Sequence, residues 1–168
     1  MRETFSLYLV RHAVAADRGD AWPDDGKRPL TAAGIARFRR QARGLSALGV
    51  RIDQILTSPL VRARQTADIL AEALPTKPPI AEIDALAPGG TYAEVIAELA
   101  KRTRRSEIAL VGHEPGIGEI AARLVGAKSA FVFKKGAICR IDVDALPPAG
   151  PGHLRWFATP KMLRALEE

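Results

Sequence analysis

Two histidines and two arginines in this chain stand where chemistry is usually done. Arg11 and His12 directly follow the short apolar run 5–10, and His113 directly follows another, 107–112. Arg62 comes four residues after Ser58, in the first turn of a segment with helical spacing. Each position lies at or just past the carboxyl end of a strand-like run, where open α/β sheets bind ligands in the crevice outside the strand ends. Neutral imidazole is a competent nucleophile and titrates near neutrality. Guanidinium groups hold oxyanions through a bidentate fork and neutralise a transferring phosphoryl group. Arg11, His12, Arg62 and His113 therefore describe an anion pocket that contains a nucleophile.

Arg62 supplies an independent clue. A cation in the first turn opposes the helix dipole by roughly 0.3–1 kcal/mol, and an anion bound at that terminus reverses the sign. The competing readings are that Arg62 snorkels into solvent, or pairs with Asp68 or Asp53. Taken singly, His12 also reads as a core histidine bonded to backbone, and His113 as a capping group. His153, in a Pro/Gly-rich loop, reads as solvent-exposed and receives no role.

The elements that must position these groups alternate along the chain. Residues 5–10 form a β-rich run without polar alternation, as expected of a strand buried on both faces. A polar, Asp/Gly/Pro-rich loop covers 15–29, a length that in compact domains is usually functional or mobile. Thr31 caps the next helix, with Leu30 and Ile35 as a hydrophobic staple and Ile35, Phe38, Ala42 and Leu45 as its apolar stripe. Residues 54–58 are a second strand. Ser58-Pro59 then reads as an N-cap with proline at the first helical position, opening a helix to about Leu74. Residues 80–86 are a weaker strand, and Thr91 with Glu94 is a capping box for a helix whose Val95, Ile96 and Leu99 face inward. Residues 107–112 are a strand, 116–125 a helix, and 138–143 and 154–158 two late strands. The pattern is α/β: a sandwich on a mainly parallel sheet.

Composition agrees. The 168 residues are 47% hydrophobic and 26% charged, which excludes a disordered chain or a fibrous repeat. Residues 1–168 read as one domain that buries about two-thirds of its unfolded surface. Net charge is +6, and the 25 basic residues divide into 18 Arg and 7 Lys. A single cysteine, Cys139, rules out an internal disulfide and fits a reducing, cytoplasmic setting. No apolar run reaches the length of a signal h-region or a membrane span. Gly116-Ile-Gly-Glu-Ile-Ala121 imitates a dinucleotide fingerprint but lacks the second βα unit, so it reads as a helix start. Isolated histidines and one cysteine argue against a metal, and no cofactor is expected. Nucleic acid is the rival partner on charge, but the sparse aromatics do not interleave with the basic clusters to form a stacking platform.

Four segments in register, Leu9-Val-Arg-His-Ala13, Arg28-Pro-Leu-Thr31 with Gly34, Ser58-Pro-Leu-Val-Arg-Ala-Arg-Gln-Thr-Ala67 and Val111-Gly-His-Glu-Pro115, resemble the histidine phosphatase superfamily. They look most like its small SixA-type branch of phosphohistidine phosphatases. The resemblance implies a phosphoglycerate mutase-like three-layer α/β/α sandwich with one antiparallel strand. It implies that His12 accepts the phosphoryl group while Arg11, Arg62 and His113 hold its oxygens; Arg28 either reaches the substrate or anchors its loop.

Two departures stand out. The family's usual Arg-His-Gly is Arg-His-Ala here, and Ala13 cannot take the φ > 0 conformations open to glycine. Larger relatives carry an acidic proton donor near the third strand, often on an inserted segment, and 83–90 is short. An alkoxide leaving group needs an acid worth typically 10²–10⁴-fold, whereas imidazole leaves with a conjugate acid near pKa 6.5. The chain is therefore expected to favour P–N bonds, on a phosphohistidine carrier or kinase domain or on a small phosphorylated metabolite. Asp17, Asp20, Asp24, Asp25, Asp84 and Glu114 are the carboxylates that would supply an acid. The alternatives are a small-molecule phosphomonoesterase of the same superfamily, a non-catalytic phospho-binding module and a nucleic-acid-binding module.

Overall fold

The computed structural model describes residues 3–167. In chain order the strands are β1 (Phe5–Arg11), β2 (Gln54–Thr57), β3 (Ile80–Glu82), β4 (Glu107–Gly112), β5 (Ile138–Val143) and β6 (His153–Ala158). The helices are α1 (Ala32–Ala47), α2 (Val61–Ala73), α3 (Tyr92–Ala100), α4 (Gly116–Val125) and α5 (Pro160–Ala165). One sheet has the order β3-β2-β4-β1-β5-β6. β4 is parallel to β1 and β2, and β2 is parallel to β3. β5 is antiparallel to both β1 and β6, so it alone among these strands runs against the rest.

Strand alternation decides which layer each helix joins, because successive side chains point to opposite faces. Tyr8 and Val10 of β1 pack with Phe38 and Leu45 of α1, Ala67 and Leu70 of α2, and Leu163 of α5. Leu7 and Leu9 pack instead with Val95 and Leu99 of α3 and Ile117 and Leu124 of α4. The result is the three-layer α/β/α sandwich. No helix among the described residues is long and apolar enough to cross a membrane.

Local chemistry explains most boundaries. Thr31 caps α1 by accepting from the Gly34 amide, and Thr91 with Glu94 closes the full capping box on α3. Three boundaries differ from the sequence reading. Ser58 is not the cap of α2, since its amide still bonds the Val111 carbonyl and extends the sheet ladder; Leu60 takes the cap position without a side-chain bond. β3 stops at Glu82 because residues 84–86 wind into a 3-10 turn. The sequence reading also passed over α5, although Thr159-Pro160 carries a cap and a proline at the helix start.

Gly118 serves packing. A Cβ on Gly118 would sit 1.9 Å from the Phe131 carbonyl oxygen, so glycine there lets α4 meet the 126–137 loop. Gly136, at φ +87°, turns that loop so that its amide bonds the Arg11 and His12 carbonyls.

Candidate active site

Register brings the site together. Val10 lies opposite Val111, and Val111 lies opposite Thr57, so β1, β4 and β2 end level with one another. The residues just beyond, His12, His113 and Ser58, therefore emerge at one edge of the sheet. The His12 and His113 ring centroids are 5.0 Å apart. Arg11, Arg28, Arg62 and Lys135 line the same 500 Å³ cavity as the two imidazoles.

His12 is buried, and its Nδ1 lies 2.7 Å from the carbonyl oxygen of Ala13. A carbonyl only accepts, so Nδ1 carries the proton and the lone pair sits on Nε2. The Ala13 amide donates to Thr66 Oγ1, which in turn donates to the Arg62 carbonyl. The fully buried Thr66 thus ties the first turn of α2 to the backbone that orients His12. Ala13 is not among the residues with positive φ, so the Arg-His-Ala departure imposes no backbone strain.

His113 Nε2 lies 2.8 Å from Ser58 Oγ, which also accepts the Leu60 amide. The Ser58 hydroxyl has no other acceptor among the described residues, so its proton is directed at His113 Nε2, which places the ring proton on Nδ1. Three of the four buried side-chain polar atoms without a partner among the described residues belong to this site: Arg11 Nε, Arg62 Nε and His113 Nδ1. Such clustering marks a functional locus, because buried polar atoms are otherwise almost always bonded.

Arg62 neither snorkels into solvent nor pairs with Asp68 or Asp53. Its side chain is 2% exposed, and its terminal nitrogens donate to the carboxylate and carbonyl of Asp25, at 2.9 and 2.8 Å. Asp68 pairs with Arg64, and Asp53 accepts amides at the start of β4. Arg28 holds Asp25 from the other side at 3.0 Å and also donates to the Ala16 carbonyl. It anchors the loop and lines the cavity at once. The 15–29 loop is itself folded: Ala15 bridges Leu30, and Asp24 caps a 3-10 turn at Asp25–Lys27. Arg11 donates to the Phe133 carbonyl at 2.7 Å.

The carboxylates that might serve as acids fall in different places. Hydrogen bonding from Arg28, joined by the charge of Arg62, holds Asp25 below the usual carboxylate range, so it stays ionised. Glu114 accepts the Gly118 and Phe133 amides. Asp24 is engaged as a cap, and Asp84 lines a separate groove with Glu82 and Glu94. Asp20 is exposed and does not line the cavity, whereas the exposed Asp17 lines its rim. His153 is exposed, but it begins β6 rather than lying in a loop. Residues that the sequence reading left without a site role are Ser58, Thr66 and Lys135.

Burial is the main cause of both histidine shifts. It lowers His12 to about 4, with the charges of Arg62, Arg11 and Lys135 adding to the effect. Burial likewise lowers His113 to about 3, assisted by His12, Arg62 and Arg11. Both rings are therefore neutral at pH 7, and a neutral imidazole is able to act as a nucleophile or as an uncharged donor. A stability effect follows. Between about pH 6.5 and 4 the unfolded chain binds protons that the folded one refuses, so stability falls as pH falls. The expected loss below pH 6.5 is on the order of 1.4 kcal/mol per pH unit for each histidine. Urea unfolding at pH 7 and pH 5 measures it, and a His12→Asn/His113→Asn double variant should lose most of the difference. A double variant with undiminished pH dependence would assign the effect to other groups.

The comparisons with known proteins converge. The model of the histidine phosphatase superfamily, branch 1, matches residues 7–87, a span that contains Arg11, His12, Arg28 and Arg62. An uncharacterized protein of Picosynechococcus is 45% identical over 118 residues, covering 68% of this chain and 70% of that one. Phosphohistidine phosphatase SixA of Escherichia coli is 29% identical over 165 residues, 95% of this chain and 99% of its own. The solved structure of the protein histidine phosphatase SixA complexed with tungstate matches with a TM-score of 0.83 and 26% identity, over 94% of this chain and 98% of that one.

Proposed function

This chain belongs to the histidine phosphatase superfamily, branch 1, and on that premise we propose that it is a phosphohistidine phosphatase working through a phosphorylated His12. The observation that carries the reading is the bond from His12 Nδ1 to the Ala13 carbonyl, which leaves Nε2 as an unprotonated nucleophile among Arg11, Arg62 and His113. In the first step Nε2 attacks phosphorus in line, a P–Nε2 bond forms, and the bond from phosphorus to the substrate imidazole breaks. The leaving imidazole takes its proton from solvent. In the second step water attacks the phosphoryl group, the P–Nε2 bond breaks, and inorganic phosphate leaves with His12 restored.

Arg11, Arg62 and the His113 Nδ1–H bind the three phosphoryl oxygens and counter the charge spread over them in the transition state. Ser58 is a positioning residue that selects the His113 tautomer, and Thr66 is one that fixes the Ala13 backbone next to His12. The whole chain forms the domain that carries this activity, and the substrate is a phosphorylated protein or a small phosphorylated metabolite. The reading as a phosphomonoesterase for small metabolites draws on one observation, the exposed Asp17 at the cavity rim, where a carboxylic acid would protonate an alkoxide.

A single comparison separates the two. The enzyme is offered a histidine-phosphorylated carrier protein and an alkyl phosphate, and phosphate release is followed for each. Without an engaged acid, kcat/KM for the P–N substrate should exceed that for the alkyl phosphate by about 10²-fold or more. Equal values, with the alkyl phosphate rate lost in Asp17→Asn, would overturn the P–N reading in favour of the phosphomonoesterase.

A further inference from the structure

A second groove of 330 Å³ adjoins the catalytic cavity, sharing Arg11 and Lys135 with it. Every ionisable residue on its walls is basic: Arg11, Arg37, Lys134, Lys135 and Arg164. None of Arg37, Lys134, Lys135 and Arg164 forms an ion pair among the described residues. Their neighbours Arg40 and Arg43 are both engaged with Glu167. Arg37 comes from α1, Arg164 from α5 and the two lysines from the loop before β5, so the fold gathers the charge from three separate segments.

The groove floor is built and tied to the nucleophile. Gln41 is 3% exposed; its amide donates to the Gly136 carbonyl at 3.0 Å, and its oxygen accepts from Arg164 at 3.2 Å. The Gly136 amide in turn holds the Arg11 and His12 carbonyls. No aromatic side chain lines the groove, so it lacks the stacking surface that single-stranded nucleic acid uses.

We propose that this groove is a docking surface for the carboxylate-rich face of a phosphoprotein substrate, seating acidic side chains next to the phosphohistidine that enters the His12 cavity. The inference rests on the phosphohistidine reading and specifies its substrate as a protein. Unpaired surface cations beside an active site raise the encounter rate with an oppositely charged partner by 10- to 10³-fold, and salt screens the effect.

The test compares wild type with Arg37→Glu/Lys134→Glu, two exposed positions outside the catalytic cavity. One substrate is a histidine-phosphorylated carrier protein with acidic residues around its phosphohistidine, and the other is free phosphohistidine. The variant should lose about 10-fold or more in kcat/KM on the protein, through KM, while its activity on free phosphohistidine stays within twofold. Wild-type kcat/KM on the protein should fall between 50 and 300 mM salt, and the variant should lose that dependence. Equal effects on both substrates, or none on either, would overturn the docking surface while leaving the phosphohistidine reading intact. Duplex DNA or RNA that binds wild type but not the variant, with protein turnover unchanged, would reassign the groove to nucleic acid. A wild type that hydrolyses neither substrate would overturn the phosphohistidine reading and the docking surface together.

Discussion

His12→Ala should lower phosphate release from a phosphohistidine protein by about 10⁴-fold or more, because it removes the atom on which the covalent route depends. The pocket around it should survive. Alanine is accommodated where the ring stood, the Ala13–Thr66 bond does not involve the imidazole, and Arg11, Arg62 and His113 keep their anchors. The variant should therefore still bind inorganic phosphate or tungstate, which separates loss of chemistry from loss of fold. A direct companion measurement traps the intermediate: wild type mixed with ³²P-labelled substrate and quenched in alkali should carry label on His12, and the variant should carry none. Activity within tenfold of wild type would remove His12 from its role as nucleophile.

Arg62→Ala is expected to cost about 10²–10³-fold in kcat/KM, the usual scale for deleting one donor aimed at developing charge. The loss should fall on kcat as well as KM, since the guanidinium is invoked for the transition state. It should also lower stability by about 1–2 kcal/mol, because the Asp25 carboxylate and carbonyl each lose the Arg62 bond; the figure is modest because Arg28 still holds both and the carboxylate is half-exposed. Asp25→Asn separates the two roles. It retains the bond from Arg62 to the Asp25 carbonyl and should reduce kcat by less than Arg62→Ala does. An Arg62→Ala variant with kcat/KM within threefold of wild type would show that the phosphoryl group is held elsewhere.

Much of this site is legible in the sequence, for a local reason. Arg11-His12 and His113 directly follow apolar runs that become β1 and β4, and a parallel sheet delivers the residues after such runs to one edge. Arg62 stood out because a cation in a first helical turn breaks a local electrostatic rule. The caps on α1 and α3 were equally local, being set by residues three apart. What escaped was non-local. Ser58 read as a helix cap from its own neighbours, but its hydroxyl meets His113, 55 residues away. Arg62 was offered Asp68 and Asp53 as partners, and its actual partner is Asp25, brought 37 residues along the chain by the folded 15–29 loop. Lys135 carries no local signal of a site role, and its position against the cavity follows the turn at Gly136.

The sequence by itself determined which groups reach the sheet edge, and with them the class of reaction, because strand ends and residue types are properties of short segments. Only the tertiary structure decided the state in which those groups work. An isolated histidine titrates near 6.5, and the main cause of the shift here, burial, is not local. Packing between the sheet and the loops strips water from both rings, and three nearby cations oppose a further positive charge on His12, so it falls to about 4 and His113 to about 3. The Ala13 carbonyl chooses which nitrogen of His12 is bare. Desolvation and hydrogen-bond direction are set by everything that packs around a group, so no stretch of sequence contains them. The Arg-rich composition has the same divided explanation: Arg40 and Arg43 answer Glu167, while Arg11 at the end of β1 and Arg62 in the first turn after β2 converge on the imidazoles because those strands end level with β4.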